Sequence, residues 1–409
     1  MSSAITRRQF AGMCLAASAY GKTARRFHGS DGVSLDALQP PQYTFPVLNQ
    51  LPRPQASEIA PGDPYWALLR KAYILMGRCE YGACPPSSLF LKFAALHEQA
   101  CSGTQNIHYS PNFLVWHRGL LYFHERAINR VLIASGDIAK DSIRLPSWNW
   151  DRVAGPVVSL PSSYLSPASL ELNPLYEQQR RQPSSFSSGF TDQDAVSQFL
   201  SAPDFTLFKT LLNGVHNMVH EFVGGLMQQI PTAGFDPVFY AHHVNVDRLL
   251  QEWLSFPDNL HQWPASSGSL LLLDETGAPV QVRPSDFFDI SKLGYSYPNL
   301  PSHTVEQANA PRLRIDNIRL RNQYPGYVAF LADVDPHRLG KTLDMDQKGV
   351  VAYSAPAQSM QEKGRLSPMN LSYVWRKPRP TRMIAVYVGK GDVIQGHDKI
   401  TSFSVESVK

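Results

Sequence analysis

Six histidines in this chain fall into two groups whose spacing suits metal chemistry. His97, His108 and His117 form the first, which closes on N-F-L-V-W-H-R-G-L-L-Y-F-H-E-R. His216, His220 and His243 form the second, spread over H-N-M-V-H and D-P-V-F-Y-A-H-H-V-N-V-D-R. Two sets of three imidazoles suggest two metal ions side by side. Imidazole suits Zn, Cu, Fe and Ni, whereas dinuclear hydrolases and di-iron bundles draw on carboxylates. Neither cluster contains a Glu-x-x-His or His-x-Asp pair. An all-nitrogen site with an open position favours a soft redox ion, with copper the first choice and zinc the second.

Helices must carry these rings. His216 and His220 are i and i+4, so a helix over Leu211 to Met227 sends both from one face, about one turn apart. The run from Asp236 to Trp253 reads as a buried helix presenting His243, and Phe113 to Phe123 as an equally apolar helix presenting His117. Four helices aiming ligands inward is how bundles build dinuclear sites. A metal-bound imidazole donates its other N–H to a carbonyl or carboxylate. Asp247, one turn after His243, and Asn245 are the candidates for that role, with Arg248 and Arg118 as ion-pair partners of Asp247, Asp236 or Glu125. His242 and His124 read as core residues, His28 as part of a linker, and His261, His303, His337 and His397 as exposed.

The remainder of the chain sets the context. With 409 residues, 43% of them hydrophobic, and a net charge of +4, it can bury a large core and has no basic run marking nucleic-acid binding. Thr6-Arg7-Arg8-Gln9-Phe10, a short apolar stretch and Ala17-Ser18-Ala19 form a twin-arginine export pattern, too short to span a membrane permanently. This predicts export to the periplasm or the medium of a bacterium, with no other membrane association. Pro40 to Pro64 is proline-rich and extended, and Ser159 to Ser201 reads as a long surface excursion. Beyond Tyr297, six β-branched or alternating runs appear: Arg312 to Leu320, Val328 to Val334, Val350 to Ser354, Leu371 to Trp375, Met383 to Val388 and Ile400 to Val405. The expected organisation is a signal and linker over 1–30, a mainly α catalytic domain over 31–302 whose four-helix bundle holds the dinuclear centre, and a β-rich C-terminal domain, sandwich or barrel, over 303–409.

The segments around His117 and His243 resemble the two copper-binding signatures of the type-3 copper proteins: tyrosinases, catechol oxidases and molluscan haemocyanins. Leu145 to Asp151, L-P-S-W-N-W-D, and the stretch from Ser269 to Tyr297 are similar to the plant polyphenol-oxidase branch in particular. The resemblance runs from about His97 to Tyr297. It implies that His97, His108 and His117 hold one copper ion and His216, His220 and His243 the other. It implies a thioether between Cys101 and His108, with His97 standing closer to His108 in sequence than in the plant proteins. Cys79 and Cys84 then remain as a small disulfide loop or a free pair. The implied activity is O2-dependent oxidation of o-diphenols to o-quinones. Asn217 matches an asparagine that, with an upstream glutamate, is thought to orient a water for phenol deprotonation. Leu212 occupies the glutamate's place, which tilts the expectation toward diphenols. Ile230 is the candidate gate over the second copper. The alternatives are an o-aminophenol oxidase, a haemocyanin-like dioxygen carrier, disfavoured by a chain without repeats, and a zinc hydrolase on the same histidines. Oligomeric state is not legible in the sequence.

Overall fold

The computed structural model describes residues 40–102, 107–152, 157–181, 185–187, 196, 199–200, 202, 204–256, 259, 262–263, 268–298, 300, 312–318, 327–343, 350–354, 369–374, 381–388, 393–400 and 404–406. The export pattern, His28, His261 and His303 lie outside the described residues. Among the described residues, five helices dominate the first 260 positions: α1 (Pro64–Leu75), α2 (Leu89–Ala100), α3 (Phe113–Ala134), α4 (Phe205–Val223) and α5 (Val238–Leu254).

Local chemistry explains where these helices begin. Asp63 accepts the Tyr65 N–H at 2.8 Å with Pro64 at the first helical position, and Ser88 accepts the Leu91 N–H at 3.0 Å. Asp204 does the same for the Leu207 N–H at 2.9 Å. The sequence reading carried α4 on to Met227, but it stops at Val223 because Gly224 and Gly225 take φ of 71° and 59°. A Cβ at Gly225 would stand 2.2 Å from the Gln179 carbonyl oxygen, so only glycine lets that strand of chain pass. Helices α3 and α5 are buried round most of their circumference, as expected of central helices.

Buried ion pairs lock α3 against α5. Between β1 (Leu51–Pro52) and β6 (Tyr295–Ser296) in the chain, β2 (Val157–Ser159) pairs with β3 (Ser185–Ser187) and β4 (Leu270–Leu273) with β5 (Pro279–Val282). The proline-rich segment runs through β1, which pairs in parallel with β6 and delivers Arg53 into the core. Its guanidinium forks onto Glu125 of α3 at 2.8 and 3.0 Å and donates to Asp247 of α5 at 2.9 Å. Asp247 also accepts from Arg118 Nε at 2.5 Å, Tyr295 Oη at 2.8 Å and Tyr297 Oη at 2.7 Å. Burial alone would raise the Asp247 carboxyl, yet Arg118 and Arg53 outweigh it and hold it below the usual range.

Two expectations need correction. The stretch from Ser159 to Ser201 is not wholly a surface excursion: Tyr164, Asn173, Leu175, Glu177 and Arg180 are buried. Arg180 clamps Asp236 at 2.8 and 2.6 Å just before α5. Low periodicity signalled irregular backbone rather than exposure. Among the C-terminal runs, the final strand pattern was misplaced. There, β7 (Arg312–Ile318), β8 (Tyr327–Ala332), β9 (Val350–Ser354), β10 (Met369–Val374) and β11 (Met383–Val388) fall close to the expected runs, but β12 (Ile394–Ile400) precedes β13 (Ser404–Glu406). β12 was missed because it is an edge strand whose Gln395, His397 and Lys399 face solvent. The described strands beyond residue 311 form two antiparallel sheets, ordered β10-β7-β13 and β12-β11-β8-β9, and β9 lies against α4.

Replacing Arg53 with Met leaves Glu125 and part of Asp247 buried without a counter-charge. Urea unfolding is expected to show a loss of roughly 3 to 5 kcal/mol, whereas an unchanged midpoint would mean the cluster is not stabilising.

Candidate metal centre

Each histidine set is assembled from separate elements. His97 comes from α2, His108 from the short 3-10 turn Ile107–Tyr109, and His117 from α3. His216 and His220 come from α4, and His243 from α5. All six are buried. The ligand atoms of His97, Cys101, His108 and His117 lie within 4.8 Å of one another, as do those of His216, His220, His242 and His243. Among the described residues, no carboxylate belongs to either group. The groups adjoin: the His117 and His243 rings stack with centroids 4.3 Å apart at 8°, and those of His108 and His216 lie 5.4 Å apart.

Hydrogen bonds select the tautomers. His117 Nδ1 donates to the Phe113 carbonyl at 2.8 Å and His220 Nδ1 to the Met227 carbonyl at 2.9 Å. His216 Nδ1 donates to Asn217 Oδ1 at 3.0 Å. With the proton on Nδ1, each Nε2 presents a lone pair. His216 Nε2 stands 3.0 Å from His220 Nε2 and 3.2 Å from His243 Nε2. At least the first two atoms are both acceptors, so their contact is repulsive unless a cation sits between them. Three nitrogens about 2.0 Å from one ion would be about 3.5 Å apart in trigonal geometry, close to this spacing. The donor set therefore fits a metal pair bound through neutral imidazole.

Protonation agrees. Burial is the main cause that lowers His117 to about 3 and His220 to about 4. It also holds His97, His108, His216 and His243 well below the ordinary range, helped by repulsion from neighbouring rings. Burial pushes the Cys101 thiol up, which disfavours a thiolate ligand; its sulfur is 3.2 Å from His97 Nε2. Cys79 and Cys84 form a disulfide.

His242 belongs to the second group in space but differs in tautomer. The Trp150 indole N–H, a donor only, reaches His242 Nδ1 at 2.9 Å. The proton is thus on Nε2, which has no lone pair to offer a cation. His124 packs in the core, stacked on Tyr240 at 3.7 Å with Nε2 3.2 Å from the Tyr73 hydroxyl. His337 and His397 are exposed.

The supporting residues expected from the sequence serve elsewhere in the core. Asp247 and Asn245 touch no imidazole among their hydrogen bonds. Two guanidiniums and two phenols already occupy the acceptor positions of Asp247, about four per carboxylate. Asn245 donates to Asp151 at 2.7 Å and accepts from Arg248 Nε at 2.9 Å. Arg248 pairs with Asp151 and Glu252, not with Asp247. Backbone carbonyls orient His117 and His220 instead, a role invisible to residue type, and Asn217 orients His216. Asn217 is half-buried on His216. Leu212 is fully buried, and Ile230 is half-buried at the start of the 3-10 helix Ile230–Phe235. That helix packs on α2, with Gly234 letting it approach: a Cβ there would meet His97 Cβ at 3.2 Å.

Two aromatic walls were missed by sequence reasoning. Phe239 lies 4.5 Å from His97 and 4.2 Å from His243, ring to ring, between the two sets. Phe113 lies 4.8, 4.9 and 5.1 Å from His108, His117 and His216. Their i−4 spacing from His243 and His117 was the available signal.

A family model described as the common central domain of tyrosinase matches residues 87–188 and 171–255. (+)-Larreatricin hydroxylase of Larrea tridentata is 28% identical over 67% of this chain and 54% of its own length. Polyphenol oxidase II of Ipomoea batatas is 28% identical over 76% and 61%. The chain thus spans little more than half the length of these relatives. In fold, latent apple tyrosinase superposes with a TM-score of 0.64 at 19% identity, covering 90% of this chain and 99% of that one. A functional unit of octopus haemocyanin gives 0.53 at 17% identity over 87% and 98%. Those two likenesses carry the fold alone.

The buried neutral histidines make acid destabilising in the metal-free protein. Between the ordinary imidazole value of 6.5 and the depressed values near 3 to 4, the unfolded chain binds more protons, so stability rises with pH. Denaturant midpoints of metal-free protein are expected to fall steadily as pH drops from 6.5 toward 4; a flat profile would contradict the neutral assignment.

Proposed function

We propose that this chain is a type-3 copper polyphenol oxidase coupling O2 reduction to oxidation of o-diphenols to o-quinones, a reading supported by the match of residues 87–188 and 171–255 to the tyrosinase central-domain model and by two adjoining histidine groups suited to a dinuclear copper centre. His97, His108 and His117 hold one copper ion in this reading, and His216, His220 and His243 the other. The observation that carries it is the convergence of buried, neutral Nε2 lone pairs with no carboxylate among them. A thioether joins Cys101 to His108 in the same reading, supported by the sulfur's place in the first group.

A bound copper pair supplies the two-electron exchange between O2 and the phenolic substrate. The chain's own residues do the rest. Backbone carbonyls of Phe113 and Met227 fix the His117 and His220 rings, and Phe113 and Phe239 wall the site with apolar surface that favours neutral imidazole. A catechol must lose two protons and two electrons, and no side-chain nucleophile is required. Asn217 works through His216, whose Nδ1–H it accepts, and Leu212 offers no carboxylate for deprotonating a monophenol. Diphenols are accordingly the favoured substrates, with Ile230 as the gate over the second copper. The twin-arginine pattern supports export to the periplasm or medium, and the Cys79–Cys84 disulfide suits an oxidising compartment.

The likeness to the haemocyanin unit makes a dioxygen carrier the second reading. Copper-reconstituted protein should bind two coppers per chain and consume O2 with catechol faster than with an o-aminophenol or a monophenol. His220→Ala or His243→Ala should abolish quinone formation. Reversible O2 binding without quinone would favour the carrier, and uptake of zinc in place of copper would overturn both.

A further inference from the structure

Asn213 sits on α4 one turn before His216, and the structure leaves its amide oxygen buried with no protein hydrogen-bond partner among the described residues. Buried amide oxygens are rarely left so, and each asks for an explanation. The nearest chemistry is the first histidine set. This face of α4 packs on the turn that bears His108: Lys209, one turn before Asn213, donates its Nζ to the Ser110 carbonyl at 3.2 Å, two residues beyond His108. The His108 ring in turn lies over His216, centroids 5.4 Å apart and tilted by 31°, which brings this face of α4 against it.

A pattern on α4 points the same way. Asn217, four residues on and on the same helix face, gives its amide oxygen to His216 Nδ1. His117 and His220 have backbone carbonyls for that purpose. His108 stands on a three-residue 3-10 turn, the shortest element to bear one of these rings, where helix geometry does least to aim it.

We propose that the Asn213 amide oxygen is the acceptor that orients His108 for copper, so that the helix carrying two ligands of the second set also aims one ligand of the first. Asn213 is then a positioning residue: it accepts the imidazole N–H left over when the other ring nitrogen faces the metal. Through paired amides at positions 213 and 217, one helix serves both ions and ties their geometries together. The inference rests on the copper reading above.

The test uses the full-length, copper-loaded chain with Asn213→Ala and Asn213→Asp. Removing an outer hydrogen-bond partner of a ligating histidine weakens metal retention about 10- to 100-fold. With Asn213→Ala, one of the two coppers should be lost to a competing chelator that much more readily, with a shifted visible copper spectrum, while the metal-free protein melts near the wild-type temperature. Asn213→Asp should recover retention and spectrum, since a carboxylate oxygen accepts the same N–H. An Asn213→Ala protein that keeps both coppers as tightly as wild type overturns the inference alone, as does a loss that Asn213→Asp fails to repair. A wild-type chain that takes up no copper pair overturns the copper reading and this inference together.

Discussion

The structure depends on lone pairs forced to face one another. His216 Nε2 stands 3.0 Å from His220 Nε2 and 3.2 Å from His243 Nε2, and hydrogen bonds elsewhere on the His216 and His220 rings keep protons off their Nε2 atoms. In water such rings would turn away or take up protons. Here burial denies them the charged form and packing denies them rotation. A cation relieves the repulsion, so metal affinity is built in by the apolar surroundings as much as by the imidazoles.

Holding that arrangement needs rigid helices, and the brace lies outside the site. Arg118 follows His117 directly, and Asp247 lies one turn beyond His243. Their ion pair, joined by Arg53 and Glu125, registers α3 against α5 at the level where His117 and His243 stack. The Arg180 to Asp236 clamp sets the start of α5 in the same manner. Buried ion pairs contribute little net stability against an apolar core of similar shape, but breaking one is costly. Their consequence here is positional: small shifts of either helix would strand a charge.

Much of the helical region was legible because its signals are local. The i, i+4 spacing of His216 and His220 and the apolar runs around His117 and His243 all act within a few residues. The C-terminal strands were legible where β-branched residues alternate, as in Met383–Val388, and lost where an edge strand is polar, as in Ile394–Ile400. The end of α4 was misjudged because apolar residues continue past Gly224 while the backbone turns away with positive φ.

By itself the sequence determined the donor chemistry: which residues are imidazoles, how they are spaced along each helix, and that carboxylates are missing from both clusters. Only the tertiary structure decided how each ring is held. Asp247 and Asn245, chosen by residue type, turned out to serve Arg53, Arg118, Arg248 and Asp151, whereas main-chain carbonyls of Phe113 and Met227 took the imidazole protons. Likewise Trp150, 92 residues from His242, settles that ring's tautomer and removes it from the donor set. The reason is physical: every residue has a carbonyl, so residue type cannot mark the one that accepts, and long-range partners meet only when the chain folds.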